Sequence, residues 1–352
     1  MTLRLTTMAF AVAALTLTAC ESVQQPVPPN TLVAAKVATA PNPTALAADP
    51  AWANAKALSV PLSGGANFGG KGETTASLKA VYSGDTLYML VQYADPTHSV
   101  RRGPYQKQAD GTWKQLKSAD NKGGDENTYY EDKWAFIWNI GNSIKNWEKE
   151  GCAATCHEGQ GKPFGNKYTA SPGELGDIWH MKGSRTAPWG FVDDQYVDHT
   201  RYDAKANPNA GRKNEPGPPG PQGGEYKGVP LVDGKPQFMN RDARALTAGG
   251  TQYIKRGDEV PFDDSRFKPG DEVASFIINN LAGFDRGDVR VALSWKDGMY
   301  TSVVSRKLVT GSKFDVQFSD LKARYGFGFA AFDNAQVRHA TGDDALFLVF
   351  GK

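Results

Sequence analysis

Residues 75–95, TASLKAVYSGDTLYMLVQYAD, alternate apolar and polar positions on both sides of Ser83-Gly84-Asp85. A period of two about a Gly-bearing turn predicts a β-hairpin. VRVALSWKDGMYTSVVSRKLV repeats the arrangement about Asp297-Gly298. KWAFIWNI is a continuous apolar run and predicts a strand buried on both faces. FDVQF, GFGFAAF and ALFLVF predict further strands. Helical signals are few. Asp49 and Pro50 suit a cap and first turn, and NSIKNWEKEG reads as a short helix capped by Asn142 or Ser143 and stopped by Gly151. Many short strands with Gly-rich turns predict an all-β fold, an immunoglobulin-like or jelly-roll-type β-sandwich with long loops and a few short helices.

Between the strand signals, residues 160–270 read as one long irregular region. Within it NEPGPPGPQGGEYKG reads as a surface loop, its Gly-X-Y-like steps too few for a collagen helix, and DDQYVDHTRYD as a solvated loop or a metal-binding surface, with no catalytic role. A long irregular stretch in a compact domain calls for a function, and covering a cofactor is one. No second core is visible, so residues 46–352 are expected to form one domain.

The N-terminus changes the picture of where that domain works. Arg4 precedes an apolar run, MAFAVAALTLTA, too short to span a membrane comfortably and suited to a signal sequence. LTAC, ending at Cys20, resembles the lipobox of bacterial lipoproteins. Residues 1–19 are expected to be a lipoprotein signal peptide and Cys20 a lipid anchor to a bacterial membrane, with the mature chain facing the periplasm. Residues 20–45 carry clustered prolines and read as a flexible tether. A formal net charge of +2 over 352 residues gives no reason to expect a nucleic-acid partner.

With Cys20 set aside, Cys152 and Cys156 remain, in GCAATCHE. Three chemistries use such a pair. A disulfide suits an exported protein but would close a very small loop. A structural zinc needs four protein ligands, and the five histidines are widely spread. Covalent haem uses two thiols and a histidine directly after the second, commonly with two residues between the thiols; here there are three. His157 favours the haem reading, because a disulfide has no use for it. Cys152 and Cys156 are then the attachment points of one haem c, and His157 the proximal iron ligand.

A second axial ligand is sought in GDIWHMKGSRTAPWG, where His180 and Met181 lie between Trp179 and Trp189. Either side chain is able to bind haem iron, and a methionine would raise the potential relative to histidine. His180 is the leading distal ligand, with Met181 and His339 as alternatives. A structural reading of the same segment, with His180 hydrogen-bonded to backbone in a tryptophan cluster, stays open. Met89 and Met299 read as strand core, and His98 and His199 as solvated. Arg185 is a candidate partner for a haem propionate.

LYMLVQYADPTHSVRRGPY, YYEDKWAFIWNI, GCAATCH, DIWHMKGSRTAPWGFVDDQYVD and VVSRKL, in this order, resemble the haem-binding domain family of the ethylbenzene dehydrogenase and dimethyl sulfide dehydrogenase gamma subunits. The resemblance spans residues 45 to 352. It implies a β-sandwich that holds one haem and passes electrons. In the best-known members of that family the haem is non-covalent and held by Met and Lys. CAATCH departs from this pattern and marks a covalent, c-type variant, so neither family ligand is carried over.

The expected function is that of a single-haem c-type cytochrome. It would transfer electrons in the periplasm between a membrane donor and an oxidoreductase, with no enzyme activity of its own. Its partner would be a quinol-linked membrane cytochrome or a periplasmic oxidoreductase. Two other classes stay open: a catalytic haem protein with an open iron site, and a non-haem ligand-binding sandwich with a Cys152–Cys156 disulfide.

Overall fold

A computed structural model describes residues 28–117, 129–157, 166–201, 205, 211–218, 224–342 and 344–351. Residues 1–19, expected to be a signal peptide, and Cys20 lie outside these residues. Thirteen strands form one sheet. In chain order they are β1 Thr31–Lys36, β2 Leu58–Leu62, β3 Thr74–Ser83, β4 Thr86–Ala94, β5 Lys133–Asn139, β6 Gly176–Lys182, β7 Asp193–Val197, β8 Arg212–Asn214, β9 Arg290–Lys296, β10 Met299–Lys307, β11 Tyr325–Phe332, β12 Ala340–Thr341 and β13 Leu346–Phe350. Their spatial order is β8-β7-β6-β5-β11-β13-β1-β3-β4-β10-β9, with β2 beside β3 and β12 beside β11.

This sheet doubles over into a β-sandwich, as the alternation predicted. Trp134, Phe136, Trp138, Phe327 and Phe329 of one leaf meet Leu78, Val91, Tyr300 and Val304 of the other in a single buried core. The leaves are also tied by polar contacts. Trp134 Nε1 donates to Ser302 Oγ at 3.1 Å, and Tyr300 OH donates to Asp132 Oδ2 at 2.9 Å. Both hairpins form where the turn residues placed them, with Thr86 opposite Ser83 and Met299 opposite Lys296.

Several sequence expectations are corrected. The tether predicted for residues 20–45 does not run free to its end. Thr31–Lys36 pairs in parallel with both β13 and β3, burying Leu32 and Ala34. Such a short strand, rich in alanine, carries almost no periodic signal. Residues 160–270 are not uniformly irregular either, since β6, β7 and β8 lie there. Every residue of β6 is buried, polar ones included, which erases the alternation by which a strand is recognised. FDVQF forms no strand; its Phe318 is core and its Asp315 is buried. Met89 is core, whereas Met299 is exposed.

A smaller cluster of Tyr105, Trp113, Val229, Met239, Ile254 and Phe267 gathers the segments between the large strands into a satellite core, where none was visible in the sequence. Helix α1, Trp147–Glu150, is one turn long and stopped by Gly151, whose φ of 53° suits glycine. A 3-10 turn over Gly151–Thr155 follows it directly and carries Cys152.

Candidate functional site

The leaf made by β6, β5 and β11 has two unlike faces. Trp134, Phe136, Trp138, Trp179 and Met181 point inward. Ala135, Ile137, Ile178, His180, Gly328, Ala330 and Phe332 alternate with them and line a cavity on the outer face, of about 480 Å³ with its open mouth included. Cys152, Lys167, Arg212, His339 and Thr341 close its sides.

Glycines on β11 determine how closely the cysteine segment approaches. A Cβ on Gly326 would lie 2.5 Å from Trp147 Nε1, and one on Gly328 would lie 2.6 Å from the Cβ of Cys152. Only bare backbone at these two positions lets α1 and the turn after it pack on the sheet. Trp147 then joins Ile137, Ile144, Ile178, Val197 and Phe347 in an apolar patch against which Cys152 and Ala154 pack.

Cys152 is half-buried and Cys156 exposed, both as free thiols. Burial pushes the Cys152 thiol up, and Lys167 works against it. Lys167 Nζ lies 3.3 Å from Cys156 Sγ. The backbone of Cys156–His157 pairs with Asn166–Lys167. The side chain of His157, the predicted proximal ligand, lies outside the described part.

His180 and His339 are brought together by the fold. His180 is 4% exposed. Its Nδ1 lies 3.1 Å from Gln195 Oε1, and its Nε2 is buried with no partner. An amide oxygen only accepts, so Nδ1 carries the proton and Nε2 the lone pair. Arg212 Nη1, 3.4 Å from the same Nδ1, is then a neighbour and not a donor to it. Burial, followed by the charges of Lys182, Lys133, Arg212 and Arg185, holds this imidazole well below the ordinary histidine value. His339 is similar. Its Nδ1 donates to the carbonyl of Val337 at 2.8 Å, and burial with the Lys167 charge lowers it to about 4. The Phe332 ring lies between them, 5.7 Å from the ring of His180 and 4.8 Å from that of His339.

Two imidazoles kept neutral, each with its proton fixed on Nδ1, is the state in which histidine binds a metal through Nε2. An aliphatic floor, a thiol at the wall and cations at the rim suit a flat apolar group that carries carboxylates. The residues present therefore fit a haem.

Met181, the neighbour of His180 on β6, faces the other way into the main core and does not reach the cavity. A strand sends consecutive side chains to opposite faces, so only one of the two could line it. Trp179 faces inward with Met181, and Trp189 packs beneath Lys255. His98, read as solvated, is exposed and stacks on Trp295 at 5.3 Å.

Arg185 is not available for a propionate. It is buried, with Nε 2.5 Å from Glu131 and Nη1 3.1 Å from Glu225. The same network joins Lys182 to Asp193 and Glu225, and Arg286 to both. Asp193 and Asp194, taken from the sequence as part of a solvated loop or a metal-binding surface, are fully buried on β7 and lie on no surface. Arg212 and Lys167 were missed as cavity residues. No local pattern marks them, because their approach depends on strand pairings β7–β8 and Cys156–Lys167.

Fold and cavity together define an all-β sandwich protein with an imidazole- and thiol-lined pocket on the outside of one leaf. The chain belongs to the ethylbenzene dehydrogenase family, which it matches over residues 49–343. No curated protein matches it. Among solved structures it is similar to a family 9 carbohydrate-binding module from Caldicellulosiruptor kristjanssonii, at 8% identity over 91% of this chain and 93% of that one, with a TM-score of 0.31. It is also similar to a putative carbohydrate-binding protein from Bacteroides uniformis, at 10% identity, 92% and 99% coverage and a TM-score of 0.36. Neither likeness bears on what this chain binds.

Proposed function

We propose that this chain is an exported c-type cytochrome that carries one haem and passes electrons. The haem is held through thioethers to Cys152 and Cys156, with His157 as proximal and His180 as distal iron ligand. The observation that carries this reading is the unpartnered Nε2 of buried His180 in the same cavity as Cys152. A buried, unsatisfied ring nitrogen is costly, and a metal ligand role removes that cost. Haem supplies a one-electron redox centre when bound. The chain's own part is to fix the imidazoles, exclude water from the floor and leave an edge accessible at the mouth. Arg212 and Lys167 at the wall are the groups able to pair with haem carboxylates, in place of Arg185.

With His157 and His180 both holding the iron, the haem would supply electron transfer, and on this reading the chain is a carrier and not an enzyme. Its partners are a membrane donor, reached from a lipid anchor at Cys20, and a periplasmic oxidoreductase.

The test is export of the chain from a host with haem c maturation machinery, then denaturing-gel haem staining and visible spectroscopy. Haem that survives denaturation, with a low-spin spectrum, is expected. His180→Ala is expected to convert that spectrum to high spin with the haem still attached, whereas His339→Ala leaves it low-spin. Intact mass equal to apoprotein from such a host would overturn the reading. A low-spin spectrum kept by His180→Ala and lost by His339→Ala would move the distal role to His339.

A further inference from the structure

The inner face of β6 and β7 carries a second group of polar residues that the cavity does not use. Asp177, Asp194, Glu215 and Asp315 are all buried, and each offers a carboxylate oxygen within 4.8 Å of the others. Asp285 and Asp288 extend the group through Asp315. They come from five places in the chain: β6, β7, the residue after β8, the loop before β9 and the loop after β10.

Among the described residues one cation, Arg306, enters this group. Its Nη1 lies 3.0 Å from Asp177 Oδ2 and 3.7 Å from Asp315 Oδ2. Asp177 Oδ2 also accepts from Val316 N and Trp179 Nε1, and Asp315 Oδ2 from Thr310 Oγ1. Asp285 Oδ2 accepts from Ser312 Oγ at 2.8 Å. Asp177 Oδ1, both oxygens of Asp194, both of Glu215, Asp288 Oδ1 and Asp315 Oδ1 are buried and unpartnered. Asp194 is 0% exposed, so water does not satisfy it from outside.

A single guanidinium does not balance so many carboxylates in a low-dielectric interior. Either protons or a metal ion must make up the charge. A proton shared between two carboxyls satisfies an oxygen on each, so protonation and a bound cation are the two arrangements that metal analysis separates. Oxygens coordinated at about 2.4 Å to one centre stand at most about 4.8 Å apart, which is the spread found here. An all-oxygen, carboxylate-rich set with no sulfur or imidazole selects a hard cation. Magnesium prefers to keep several waters, for which a fully buried cage is ill suited.

We infer that Asp177, Asp194, Glu215 and Asp315 form a structural calcium site, with Asp288 at its margin. The ion would pin β6, β7 and the residue after β8 to the 310–316 loop of the opposite leaf. It would sit behind the strand that carries His180 on its other face, bracing the cavity without entering it.

The test is made on the full exported chain. Elemental analysis after dialysis into metal-free buffer is expected to find one calcium per chain. Chelation should lower the thermal midpoint, and calcium at a hundredfold excess over Kd should restore it by about 5–10 °C. Asp194→Asn combined with Glu215→Gln should carry no calcium and have a midpoint that calcium does not move. Wild-type protein free of divalent metal, with a midpoint indifferent to millimolar calcium, overturns the site. So does a double variant more stable than wild type at every calcium level, because amides imitate protonated carboxyls. Retention of zinc or copper in place of calcium overturns the assigned class. The metal content of the wild type decides the matter even if the variant fails to fold, and none of these readings depends on haem.

Discussion

The carboxyl of Asp95 shows how far burial alone moves a residue in this sandwich. It follows β4, is fully buried, and is pushed up to about 8 by burial and then by the charge of Asp333. An unfolded aspartate titrates near 4. A folded value above the unfolded one means that the native state holds the proton more tightly. Its contribution to stability is therefore full below about pH 4 and is lost as pH rises through about 8. Asp95→Asn keeps the Oδ1 acceptor used by Thr97 N at 3.0 Å and removes the titration. The urea midpoint of the variant is expected to fall less between pH 4 and pH 8 than that of wild type. Equal slopes would mean that the proton resides on another carboxyl. At this scale the sequence was informative where chemistry is local. His180 was marked by its neighbours, and His339 by being one of only five histidines. Arg185 misled because an arginine's partner is set by the fold: two buried glutamates claim it, from positions 131 and 225.

Elements with one wet face were legible, and so were continuous apolar runs such as β5; a strand buried on both faces with polar residues on each was not. The hairpins at Gly84 and Gly298 have a period of two and turns that name themselves. Strand β6 has polar residues on both faces, each held by a specific partner, and so looks like loop. Strand β11 was legible as GFGFAAF, though not the reason for its glycines. Gly326 and Gly328 face α1 and Cys152 and leave room for them. Gly328→Val would force Cys152 away from the cavity wall, since even a Cβ meets it at 2.6 Å. The expected outcome is exported, folded protein with at least a severalfold loss of gel-stable haem. Wild-type haem staining in that variant would show that attachment does not need Cys152 at this wall.

For the whole molecule, stability rests on the aromatic seam between leaves. Trp134 is 0% exposed, contacts Phe136 at 5.6 Å and Phe329 at 6.4 Å between ring centroids, and reaches Ser302 across the seam. Trp134→Ala should destabilise the protein by about 3–5 kcal/mol, through lost burial and the cavity left behind. Chemical denaturation measures this, and a loss under about 1 kcal/mol would mean that the leaves close over the gap.

The sequence by itself determined the class of fold, the hairpins, the close spacing of Cys152 and Cys156 and the resemblance to the ethylbenzene dehydrogenase family. These depend on periodicity and on residues within a few positions of one another. Only the tertiary structure decided that Met181 turns into the core, and that Lys167, Arg212 and His339 share a cavity with His180. It also brought carboxylates from four separated segments into one buried cage. Such meetings follow from which strands become neighbours and which face each residue takes. A one-residue change of register reverses them all, and no local pattern in the chain records that choice.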